Sequence, residues 1–87
     1  MNGKTIEVVV YDGDDKLECT LKRPDMPTMS RVNKLAKQDE MLAMQEMLKG
    51  CWVKGDEQIK NDPYLVTAVS KEMKVLWSGV KAELKNS

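Results

Sequence analysis

Two cysteines, an acidic turn, a basic helix side and a group of methionines are the residues here whose types could do chemistry. Histidine is absent from the 87 residues, which removes the commonest general base and metal ligand. Cys19 and Cys51 lie far apart and follow no metal-ligand spacing. A nucleophilic cysteine needs an activating neighbour to form its thiolate, and neither has an obvious one nearby. Both read as free, buried thiols of a reducing compartment; a disulfide joining a strand to a helix end is the other reading. There is no phosphate-binding loop and no dinucleotide fingerprint. The chain is therefore expected to be no enzyme, with no catalytic residue, metal or cofactor.

Asp12, Asp14 and Asp15, in DGDDKLE, begin like a calcium-binding loop. The pattern then fails: Lys16 takes the fifth place, Leu17 stands where the sharp turn needs Gly, and Arg23 where the bidentate Glu belongs. The stretch reads as a solvated hairpin turn. The acidic residues Asp56 and Glu57 read as complements to a helix dipole. Arg31, Lys34 and Lys37 could meet phosphates, yet they have no aromatic partners and are offset by Asp39 and Glu40. With 14 basic and 14 acidic residues the net charge is zero. No nucleic-acid partner is expected of such a balance.

Seven methionines are many for this length. Met is flexible and polarisable, so Met41, Met44 and Met47, with Met29 and Met73, either fill a core or offer an adaptable groove to apolar segments. The candidate partner-binding residues are Met41, Met44, Met47, Val69, Met73 and Val80.

The elements that must position these residues follow from periodicity. Residues 5–11, TIEVVVY, alternate Ile6, Val8 and Val10 with their neighbours; residues 16–23 alternate Leu17, Cys19 and Leu21. That pattern predicts two strands joined by the Asp-Gly turn. Met1–Lys4 reads as a loose start. Two strands alone are marginal in water, so the hairpin must pack on helices, gain a strand, or pair with a second copy.

Pro24 and Pro27 bracket a connection, after which Thr28 can cap a helix over 28–37. Asp39 can cap a second over 40–49, which Gly50 is expected to stop. Cys51, Trp52 and Val53 form a short apolar patch, and 56–60 a helical turn. Asp62 and Pro63 then open the longest segment, 62–85, in which Val66, Val69, Met73, Leu76, Val80 and Leu84 draw one apolar stripe. Trp52 and Trp77 are expected to be largely buried.

The fold predicted is α+β: an N-terminal β-hairpin (5–23) followed by three main helices (28–85), the C-terminal one longest, in a single small domain over 1–87. No apolar run is long enough to span a membrane, and the start lacks the apolar core of a signal peptide, so a cytoplasmic protein is expected.

The run from Glu46 to Leu84, with the Cys51-Trp52 pair, the Gly55-Asp56-Glu57 step, Ile59 and a helix opened by Asp62, resembles small tail-assembly-chaperone-like proteins of bacteriophages and prophages. The resemblance implies a helper protein in a bacterial host that coats the apolar helical segments of a tape-measure-type client and does no covalent chemistry. A small adaptor or regulatory module of a mobile element, and a minor virion subunit, are the alternatives. Open hairpin edges and zero net charge also predict self-association, through surface shared with the client.

Overall fold

The computed structural model of the protein describes residues 4–85. Of the loose start expected at Met1–Lys4, only Lys4 falls among them, without regular structure. The fold is α+β, one antiparallel sheet covered on one face by helices.

Strands β1 (Thr5–Asp12) and β2 (Asp15–Lys22) form the expected hairpin. Their register sets Ile6 against Leu21, Val8 against Cys19 and Val10 against Leu17. All six belong to one face, as a period of two requires, and that face packs into the core. Gly13 takes a φ of 63° in the two-residue turn, a conformation that costs a residue with a Cβ.

Helix α1 (Met26–Ala36) begins earlier than the sequence reading placed it. Asp25, not Thr28, is the cap: its carboxylate accepts the Thr28 N–H at 3.0 Å, and Pro27 sits in the first turn where its missing N–H is harmless. Hydrogen bonds from Thr28, side chain first and backbone second, hold the Asp25 carboxyl below its ordinary pKa. Helix α2 (Glu40–Cys51) is capped by Asp39 as expected, its carboxylate accepting the Leu42 N–H at 3.0 Å.

Gly50 does not stop α2; the helix runs through it to Cys51. A Cβ there would lie 2.3 Å from the Thr28 methyl, so the glycine is what lets α1 and α2 cross closely. The breaker signal in the sequence was a packing signal instead.

The chain then supplies the strand the hairpin needed. β3 (Trp52–Gly55) pairs antiparallel with β2, giving the order β1-β2-β3. The register shifts between Thr20 and Leu21, leaving Val53 as the extra residue of a bulge. Gly55, at φ 142°, lies so close to β2 that a Cβ would sit 2.5 Å from both the Cys19 Cα and the Glu18 carbonyl oxygen. Asp56 finishes the pairing from both sides: its N–H donates to the Glu18 carbonyl at 2.9 Å and its carboxylate accepts the Glu18 N–H at 2.8 Å. This acidic residue closes a sheet edge and makes no side-chain cap to the following 3-10 turn, Glu57–Lys60.

Helix α3 (Pro63–Glu72) opens as expected, with the Asp62 carboxylate accepting the N–H groups of Tyr64 and Leu65. It tightens into a 3-10 extension, Met73–Trp77, which makes this the longest helical stretch. It does not reach residue 85. The Arg23 Nε donates to the Leu76 carbonyl at 2.6 Å, fixing the helix end to the end of β2, where a cation suits the free carbonyls. Residues 80–85 have no regular structure. The predicted stripe therefore ends at Leu76. Val80 is 64% exposed and Leu84 99%.

Leu21, Leu48, Ile59, Val66, Val69 and Leu76 are fully buried where sheet and helices meet. Trp52 and Trp77 are half-buried and lie against this core. No helix among the described residues is long and apolar enough to cross a membrane.

Candidate binding groove

An apolar groove of about 370 Å³ runs where α1, α2 and the end of α3 meet. Met44 and Met47 come from α2, and Met73 and Trp77 from the 3-10 extension. Val32 and Ala36, one helical turn apart on α1, make the far wall. Glu40 and Lys74 stand at the rim. Met44 and Met47 are half-buried at the opening, and Met73 is buried at the base. Ser70 also borders the groove, and its hydroxyl is buried without a hydrogen-bond partner among the described residues.

The six candidate residues do not all meet. Met44, Met47 and Met73 share the groove. Met41 lies on another side of α2, facing the start of α3, where the Thr67 hydroxyl approaches its sulfur at 3.9 Å. Val69 is fully buried in the core and cannot meet a partner in this conformation. Val80 lies past the helix end, outside the groove, so spacing alone had placed it on a stripe that the backbone does not continue. Val32, Ala36 and Trp77 were missed as groove residues. The i, i+4 apolar pair on α1 carried the signal, but an apolar helix side in a sequence reads equally as core.

The electrostatics of the groove are mild. Arg31, on the basic side of α1, pairs with Glu46 at 3.4 Å, and Glu46 also meets Lys49 at 3.8 Å. Lys34 and Lys37 are exposed. The two cysteines are elsewhere, free and buried: Cys19 on β2, Cys51 at the end of α2. Burial pushes both thiols up to about 11; the Asp56 carboxylate adds to the rise at Cys19, and Lys22 opposes it at Cys51. A thiol so shifted is protonated at neutral pH and a poor nucleophile. Among the described residues no three His, Cys, Asp or Glu side chains gather as a metal site.

What the arrangement can offer is an apolar, methionine-lined surface, of a kind that flexible side chains let adapt to differing shapes. Comparison with family models, with curated proteins and with solved structures finds no match to this chain.

Proposed function

We propose that the protein is a non-enzymatic binding module that holds an apolar helical segment of a protein client, in the manner of a phage or prophage tail-assembly chaperone. One observation carries this reading: Met44, Met47 and Met73, from two different helices, converge with Trp77 in a single groove open to solvent. A core needs no opening, and a rigid site for one small ligand is better built from residues with fixed rotamers. Three helices frame the groove, and an inserted helix face would complete a four-helix contact. The client is tape-measure-like because such proteins present long runs of apolar helix, which is what the resemblance in residues 46–84 implies.

The test uses a synthetic amphipathic helix from a tape-measure protein and the full chain. Binding should change Trp77 fluorescence, and Met47→Glu should weaken it at least about tenfold, since a charge would be desolvated in the contact. Far-UV circular dichroism checks that the variant stays folded. Equal affinity of wild type and Met47→Glu would refute the groove. Recovery of the protein in purified virions would favour a structural subunit over a chaperone.

A further inference from the structure

The sheet has a second open feature on the other flank of α3. Beside β1 runs a groove of about 640 Å³, lined by Ile6 to Tyr11 along the strand and by Ala68, Glu72 and Val75 of the helix. In a hairpin closed by a two-residue turn, the flanking pair Asp12–Asp15 exchanges hydrogen bonds, and so does every second pair. Ile6, Val8, Val10 and Asp12 therefore spend their backbone groups on β2. Thr5, Glu7, Val9 and Tyr11 direct theirs to the open edge, and no strand among the described residues covers it. β1 is eight residues long, contains no proline and pairs with β2 without a bulge. Protected edges are short, bulged, or studded with charge.

We propose that this edge is a self-association surface, on which β1 of a second copy pairs antiparallel about a two-fold axis to make one six-stranded sheet. The chain's own charges select the register. With Val8 on the axis, Val8 meets the partner's Val8, and Ile6 meets the partner's Val10 on the inward face. Glu7 meets the partner's Val9 and Thr5 the partner's Tyr11 on the outward face. Lys4 then meets the partner's Asp12 at both ends, giving two ion pairs, and Thr5, Glu7, Val9 and Tyr11 all satisfy their edge groups. Moving the strands two residues one way sets Glu7 against Glu7 of the partner; moving them two the other way sets Ile6 against the partner's Asp12. A shift by one reverses the faces. The full-length register is the one that avoids each of these penalties.

This surface is separate from the methionine groove. Ala68, Glu72 and Val75 face the β1 edge, whereas Ser70, Met73, Lys74 and Trp77 face the groove. Self-association thus leaves the client site open, in place of the competition expected from a shared apolar stripe.

Sedimentation velocity of the full chain over a range of concentrations tests the proposal. Wild type should be a dimer. Val9→Pro removes an edge-facing N–H and no bond within the hairpin, so it should be a folded monomer where wild type is fully dimeric. Lys4→Glu and Asp12→Lys should each raise the dimer Kd several-fold, and the two together should restore it. Val80→Asp with Leu84→Asp should leave the dimer unchanged. If Val9→Pro fails to fold, the charge exchange decides. A wild-type monomer at high concentration, a Val9→Pro dimer, single and double charge variants of equal Kd, or a dimer lost on changing Val80 and Leu84 would each overturn the proposal.

Discussion

The two edges of the sheet are built on opposite plans. The β3 edge is four residues long and interrupted by the bulge at Val53, and the chain past it is tied back to β2 by the two bonds between Asp56 and Glu18. The β1 edge is twice as long and straight. The first is guarded in the ways that keep strands from adding; the second has none of those devices. In a chain of zero net charge, no general repulsion stands in for them. This contrast between the two edges is what the proposed self-association at β1 rests on.

The largest effect that would break this comparison is at the guarded edge. Gly55→Ala would force a Cβ against the β2 backbone at 2.5 Å, at a φ that L residues rarely adopt. Overpacking and backbone strain together should cost about 3 kcal/mol, a large part of the roughly 4–13 kcal/mol that a chain of this size holds. Urea denaturation measures it. A Gly55→Ala protein as stable as wild type would show that β3 is not bound as described.

A smaller effect comes from pH. Both buried thiols lie on the β3 side, and each is raised from 9.0 to about 11 by folding. A group whose folded pKa is raised binds more protons folded than unfolded between those values. Its contribution is complete below pH 9 and is lost as pH climbs toward 11. Urea midpoints should therefore fall over that window, and fall less steeply in a Cys19→Ala, Cys51→Ala protein. Parallel pH profiles for the two proteins would remove the thiols from the account.

The smallest effect is at the open edge. Val9 is exposed and its side chain leaves the core, so Val9→Lys should change monomer stability by no more than about 0.5 kcal/mol. A shift of 2 kcal/mol, measured by urea denaturation at concentrations below association, would mean that the edge is already packed.

The hairpin was legible because its signals agree: alternation in both strands, and a turn sequence that only a positive φ satisfies. The caps Asp39 and Asp62 were legible for the same reason. β3 was not. Four residues are too few to show a period, and Trp52 and Val53 become a strand only because β2 offers a partner more than thirty residues upstream. Gly50 and Gly55 show the same limit from the other side. One is in a helix and one at the end of β3, both for close approach, and the sequence shows only that each lacks a side chain. At the end of α3 the stripe through Val80 and Leu84 kept its spacing after the tertiary contacts had stopped; periodicity has no measure of whether a neighbour exists. In the groove, Met44, Met47 and Met73 were found by their chemistry, while Val32 and Ala36 needed the helix crossing that Gly50 permits.

The central position of β2 also fixes an order of assembly. Its bonds to β1 close across a two-residue turn, whereas its bonds to β3 must wait for a chain segment that contains two helices. Loop-closure entropy favours the local pair first. The Gly55 side of β2 is therefore the last part of the sheet to be covered, on the ribosome as in refolding. Pulse-labelled hydrogen exchange would register this as protection of the Leu17 and Glu18 amides at different times, since the Glu18 N–H donates to Asp56 beyond β3. The Leu17 N–H, directed to β1, should be protected with the hairpin, and protection of both together would mean that the sheet forms in one step.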